Sequence, residues 1–183
     1  MSIKDLASAL RPAHWAKNFL ALAPLFFTGR IADRALLARE ALAFAVFCAA
    51  ASAVYLFNDW RDAPADRAHE RKMNRAYASG RMSARTLWVL LGLCLVLAAA
   101  GCAFLPPGVA VMAAAYVLSM VLYSLLLKRW LAAGAAIIAM GMIARIFAGA
   151  AAIGACVSAW VIPCTFFLTC YVIAGKRIYD AAP

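Results

Sequence analysis

Apolar positions in this chain come in long unbroken runs. There is no period-2 alternation of strands and no period-3.6 stripe of surface helices. The runs fall at 14–30, 38–57, 87–105, 108–127, 131–153 and 156–175, separated by short polar stretches. A hydrocarbon layer about 30 Å thick is crossed by roughly 20 helical residues, so each run predicts a spanning helix. Leu87–Leu105 and Val109–Leu127 contain no charged residue at all. The first run differs, because Lys17, Asn18 and Pro24 interrupt it. It either crosses with Trp15 and Lys17 as interfacial anchors or dips into the membrane and returns. The expected fold is all-α: one polytopic transmembrane bundle of about six spans over residues 1–183, with a cytoplasmic loop at 58–86.

Composition closes off the alternatives. Of the 183 residues, 67% are hydrophobic and only 14% charged, and the mean hydropathy is +0.85, which excludes a water-soluble globule. The net charge of +10 would suggest nucleic acid as partner in a soluble protein. Here the basic residues sit between spans, so membrane lipid is the expected partner and nucleic acid is not. With the N-terminus cytoplasmic, 14 of the 18 Lys and Arg residues face inward, as the positive-inside rule requires. No small-residue cleavage pattern follows the first run, so a cleaved signal peptide is not expected. The cysteines at 48, 94, 102, 156, 164 and 170 form no CxxC pair and read as small packing residues. Ala144, Ala148, Ala152 and Cys156 recur every fourth position and predict close helix packing.

The chemistry concentrates at the inner end of the second run, in Asn58-Asp-Trp-Arg-Asp62-Ala-Pro-Ala-Asp66-Arg67. At about 100° per residue, Asn58, Asp59, Asp62 and Asp66 share roughly a quarter of a helix circumference. Three carboxylates on one face near a membrane repel one another unless a cation neutralises them. Mg²⁺ suits such a set, being a hard ion usually held by one or two carboxylates together with substrate phosphate oxygens. Arg67, Arg71, Lys72, Arg75 and Arg81 follow and can bind phosphate oxygens, Arg by a two-pronged contact. The pattern therefore predicts a metal–diphosphate site. The basic residues also satisfy the orientation rule alone, and the acids could pair with them at a solvated helix end. Pro64 predicts that the shared face holds cleanly only through Asp62, with Asp66 in a kinked or a separate segment.

These residues resemble a known family. Asn58-Asp59-x-x-Asp62-x-x-x-Asp66-Arg67 is similar to the first aspartate-rich motif of the UbiA-type prenyltransferase superfamily. Arg11-Pro12-x-His14-Trp15-x-Lys17-Asn18 with Ala23-Pro24-Leu25 is similar to its decaprenyl-phosphate phosphoribosyltransferase branch. So are His69, Lys72 and Arg75 with Ala78-Ser79-Gly80-Arg81, then Tyr123-Ser124, Leu127-Lys128, Arg145 with Ala148-Gly149-Ala150, and Lys176-Arg177. The resemblance implies an enzyme of the bacterial inner membrane with a cavity on the cytoplasmic side. There Mg²⁺ binds a diphosphate donor, and a 5-phosphoribosyl group moves to a lipid acceptor, a polyprenyl phosphate. Asp59, Asp62 and Asp66 would be the catalytic and metal residues. Asn58, Arg67, Lys72, Arg75, Lys128, Arg145 and Lys17 would bind substrate.

The chain also departs from that pattern. The family places a second acidic motif after the Leu-Lys segment, where this chain has Gly134, and no acid occurs between Glu70 and Asp180. The family has about nine spans against six here. Two further readings therefore stay open: transfer of an isoprenoid chain to an aromatic acceptor, and an inactive, truncated membrane scaffold. Arg145, well inside the fifth run, must face a cavity or a polar partner. It touches the lipid phosphate or donor, or it bonds the backbone of a neighbouring helix. His14 reads as an interfacial anchor beside Trp15. His69 lacks a second nitrogen or sulfur ligand at zinc spacing, and Tyr123 sits where interfacial tyrosines are expected anyway.

Overall fold

The computed structural model describes residues 2–70, 72–127 and 130–181. Among them every regular element is helical. Helix α1 (Ile3–Leu10) starts in a capping box, with the Ser2 hydroxyl accepting at the third helical residue and the Asp5 carboxylate reaching back to the Ser2 amide. It stops at Arg11, whose φ of 54° is left-handed. The chain continues as a 3-10 segment over Pro12–Leu22 and a short helix α2 (Ala23–Phe27). Helix α3 (Arg34–Arg67) is capped by Asp33, whose carboxylate accepts from the amides of Ala35 and Leu36 at 3.0 and 3.2 Å. Ser83 caps α4 (Ala84–Cys102). Helix α5 (Pro107–Leu122) widens into a π turn at Tyr123–Leu127, and α6 (Leu131–Ile153) and α7 (Val161–Ala181) follow.

Four helices, α3, α4, α5 with its π turn, and α6, are long and apolar enough to cross a membrane, and α7 contributes a shorter apolar stretch at Val161–Gly175. This is an integral membrane protein. The first apolar run is wound as the 3-10 segment and α2 rather than as one long α-helix. A 3-10 helix rises about 2.0 Å per residue, so such a segment covers about as much depth as a longer α-helix.

The expected loop at 58–86 is half helix: α3 continues through Asn58 to Arg67, and the connector proper is 68–83. Pro64 lies inside α3, which runs on past it through Asp66, so Asp66 is not in a separate segment. A proline this close to a helix end forfeits one ladder bond near the cavity mouth, a smaller loss than an interior break.

The centre is packed by small side chains. Ala43, Val46, Phe47, Ala50, Ala51 and Val54 of α3 meet Val109, Ala113 and Tyr116 of α5 and Ala144, Ala148 and Ala152 of α6. The every-fourth-residue pattern thus packs as expected through Ala152, whereas Cys156 lies beyond the end of α6 and is exposed. Backbones approach closely at Gly149 of α6, where a Cβ would stand 1.8 Å from the Ala21 carbonyl oxygen. That contact seats the 3-10 segment against α6.

Candidate functional site

Ser52, Asp59 and Asp66 are spaced by seven residues, and seven residues bring a helix back to within about 20° of its starting direction. Together with Tyr55 they form one stripe down α3, and the chain from Leu10 to Trp15 lies along it. The Ser52 hydroxyl donates to the Leu10 carbonyl at 3.0 Å and accepts from the Trp15 indole at 3.1 Å. The Tyr55 ring receives His14 edge-on, at 5.4 Å between centroids, and the Arg11 guanidinium lies 5.0 Å from its centre. One turn further, Arg11 Nη2 donates to Asp59 Oδ1.

Arg75 completes the ion cluster from the other side. Its Nη1 donates to Asp66 Oδ2 at 2.6 Å and to Asp59 Oδ1 at 3.3 Å, so one nitrogen lies between two carboxylates that are 5% and 4% exposed as residues. The connector holds Arg75 there. Arg67 Nε donates to the Ala78 carbonyl at 3.2 Å, and Arg81 donates to the Asn74 carbonyl at 2.6 Å and to Asp5 Oδ1 of α1 at 2.8 Å. Beneath it, Ala76 and Met82 pack with Ala9, Ala53, Leu56 and Leu87. The Ser2 amide and the Arg81 guanidinium hold the Asp5 carboxyl below its ordinary range. The connector and α1 thus form one cover over the acidic end of α3.

Asn58 and Asp62 lie about 40° apart on the neighbouring stripe of α3. Asp62 lines a cavity of about 750 Å³ together with Arg61, Pro64, Ala65, Ser124, Leu125 and Trp130. Arg61 Nη2 donates to the Leu125 carbonyl across it at 3.0 Å. Asn58 Oδ1 and Ser124 Oγ are buried without a hydrogen-bond partner, and of the two Ser124 lines the cavity.

The four motif residues therefore share an arc, as the spacing requires, but divide into two working pairs. Asp59 and Asp66 meet the guanidinium groups, while Asn58 and Asp62 lie on the cavity side. Among the described residues, no three His, Cys, Asp or Glu side chains gather as a metal-ion cage. Asp59 and Asp66 share Arg75 Nη1, while Asp62 lines the cavity. Hard oxygen donors suit Mg²⁺, and a set of two carboxylates with substrate oxygens fits its usual site. The shared position of Arg75 Nη1 shows that one cation can satisfy both.

The remaining predicted residues distribute differently. Lys72 is exposed on the connector. Lys17 lines a separate groove with Ile138, Met142 and Leu168. Lys128, Arg71 and Arg129 lie outside the described residues, as do the side chains of Lys176 and Arg177. Arg145 is 4% exposed. Its Nε donates to Asn18 Oδ1 at 2.7 Å, its Nη1 donates to the Gly141 carbonyl, and its guanidinium lies 4.4 Å from the Tyr116 ring centre. These are bonds within the bundle. Arg11, Tyr55 and Ser124 are the members that spacing did not single out. For Arg11 the available signal was the Arg-Pro step, where a helix has to stop.

Comparison with known proteins assigns the lineage. The UbiA prenyltransferase family matches over residues 19–181, nearly the whole chain. The chain belongs to the UbiA prenyltransferase family. Among curated UbiA-like relatives, the decaprenyl-phosphate phosphoribosyltransferase of Mycolicibacterium smegmatis is 35% identical over 181 residues, covering 96% of this chain and 56% of that protein. The protein of the same name from Mycobacterium tuberculosis is 35% identical, covering 96% and 59%. This UbiA-family chain thus spans little more than half the length of the curated relatives it matches. A solved UbiA homolog from Archaeoglobus fulgidus, bound to DMAPP and Mg²⁺, shares the fold with a TM-score of 0.81 at 22% identity, covering 95% of this chain and 63% of that one. The resemblance drawn from the aspartate motif and the Trp-x-Lys-Asn segment is borne out at the level of family and fold. At Gly134, where that resemblance places an acid, a Cβ would stand 3.0 Å from Tyr123 Cε2, so the Tyr123 ring fills the space such a side chain would enter.

Proposed function

We propose that the protein is a membrane transferase that moves a 5-phosphoribosyl group from phosphoribosyl diphosphate to a polyprenyl phosphate, working from the cytoplasmic face of a bacterial inner membrane. The observation that carries this reading is the convergence of Asp59 and Asp66 on one guanidinium nitrogen, with Arg11 alongside and a polar-mouthed cavity next to them. The relatives at 33–35% identity favour the phosphoribosyl donor over an isoprenoid one.

In the reaction the bond from ribose C1 to the diphosphate oxygen breaks and its electron pair leaves with the diphosphate. A phosphate oxygen of the lipid then forms the new bond to C1. Negative charge grows on the leaving group, so preorganised cations there lower the barrier most. Arg75, in contact with both carboxylates, supplies charge for the diphosphate, and Arg67 at the end of α3 and Lys72 on the connector add to it. Bound Mg²⁺ would neutralise diphosphate oxygens and be held by Asp66 and its neighbours Asp62 and Asp59. Ser124 Oγ gives the cavity a polar contact for a hydroxyl group of the sugar.

The test uses membranes containing the protein with labelled phosphoribosyl diphosphate, Mg²⁺ and polyprenyl phosphate. Labelled lipid is expected, falling at least a hundredfold in Asp62→Asn/Asp66→Asn. Undiminished transfer by that variant would overturn the site. Label transferred only from an isoprenyl diphosphate to an aromatic acid would select the prenyltransferase reading, and no turnover with either donor would select the scaffold.

A further inference from the structure

Arg11 stands out on two independent grounds. Among the described residues it is the non-glycine position with positive φ, a strained conformation that L side chains keep only when their surroundings over-determine it. The surroundings do so: Leu10, His14 and Trp15 on either side of it are each fixed to Ser52 or Tyr55 of α3. The consequence of the strained turn is that a guanidinium lies over Tyr55 and reaches Asp59, which is buried.

The ion cluster then has an asymmetry. Asp59 accepts from both Arg11 and Arg75, the contact to Arg75 being the longer at 3.3 Å. Arg75 lies closer to Asp66, at 2.6 Å, and is the more exposed of the two arginines, 28% against 19%. Arg11 is anchored by a ring, an ion pair and a pinned backbone, whereas Arg75 rides on the connector. Arg11 therefore supplies the counter-charge that Asp59 would otherwise draw from Arg75.

We propose that Arg11 is a positioning residue: by neutralising Asp59 it leaves Arg75 free to exchange from the carboxylates to an incoming diphosphate. This rests on the diphosphate reading above, and it assigns Arg11 no contact with substrate. Without Arg11, Arg75 is the guanidinium left on the buried Asp59 among the described residues, and the diphosphate must compete with that pair. A charge-assisted contact of this kind is worth about a factor of ten or more in binding.

The experiment measures binding of inorganic pyrophosphate, in the presence of Mg²⁺, to the purified full chain in detergent by calorimetry, with thermal melting run in parallel. Wild type is expected to bind, Arg11→Ala to bind about tenfold more weakly, and Arg11→Ala/Arg75→Ala to bind no more weakly than Arg75→Ala alone, because Arg11 acts only through Arg75. Arg11→Lys, which keeps the charge and loses the planar fork, is expected to fall between wild type and Arg11→Ala. A role confined to folding, or a direct contact of Arg11 with pyrophosphate, would make Arg11→Ala weaken binding further in the Arg75→Ala background, and that result overturns the proposal. So does unchanged affinity in Arg11→Ala. Absence of pyrophosphate binding by wild type itself overturns the functional reading and the proposal with it, which separates the two failures.

Discussion

Replacing Gly149 by alanine tests how tightly the first segment is seated. The added Cβ would lie 1.8 Å from the Ala21 carbonyl oxygen and 2.8 Å from its carbon, both backbone atoms. An ordinary carbon–oxygen contact is about 3.3 Å, so the two backbones have to separate by roughly 1.5 Å. Overpacking of this kind costs about 1–3 kcal/mol. The displaced segment also carries Asn18, whose Oδ1 accepts from Arg145 Nε at 2.7 Å inside the bundle. Losing a buried bond to a charged donor adds about 1.5–3 kcal/mol. The total is about 2.5–6 kcal/mol, which for a chain of this size lowers the melting temperature by roughly 5–25 °C. The assay is thermal unfolding of the detergent-solubilised protein, with wild type and Gly149→Ala compared side by side. A variant melting within 2 °C or so of wild type would refute the close-approach argument.

Three other outcomes follow from the same contacts. Arg145→Ala and Asn18→Ala should each destabilise by about 2–3 kcal/mol and combine less than additively, because each removes the other's partner; additive losses in a double-mutant melt would contradict the pairing. Acid should release α1 from the connector. The folded Asp5 carboxyl lies below its ordinary value of 3.8, so its stabilising effect is complete above that value and vanishes as pH falls through the lower folded one. Hydrogen exchange in α1, corrected for intrinsic rates, should accelerate over that window in wild type, and Asp5→Asn should remove the step. Gly134→Asp should not create a second acidic site without displacing Tyr123, and should lower the melting temperature by several degrees; an unchanged melt would show that the ring gives way freely.

The spans were readable because lipid imposes one demand, an internally bonded apolar helix, and the uncharged runs at Leu87–Leu105 and Val109–Leu127 meet it without ambiguity. The acidic arc on α3 was readable for a similar reason: it depends only on helical pitch. Its division into Asp59 with Asp66 and Asn58 with Asp62 was not, since the split depends on which neighbour faces each stripe, and the neighbours arrive from α1, the connector and the π turn. Arg145 shows the same boundary. A charge inside an apolar run requires a polar partner, but that Asn18, 127 positions away, supplies it is a property of packing. Arg11 escaped because its importance lies in a backbone angle.

The 3-10 winding of Pro12–Leu22 leaves the first segment no slack. Trp15 bonds Ser52 of α3, Asn18 bonds both Cys48 of α3 and Arg145 of α6, and Ala21 packs against Gly149 of α6. One residue more or less between them would turn the far end by about 120° and shift it by about 2 Å. No register could then satisfy both helices at once. The segment acts as a ruler cut to one length, coupling the separation of α3 and α6 in the bilayer to the placement of a charge at the membrane surface.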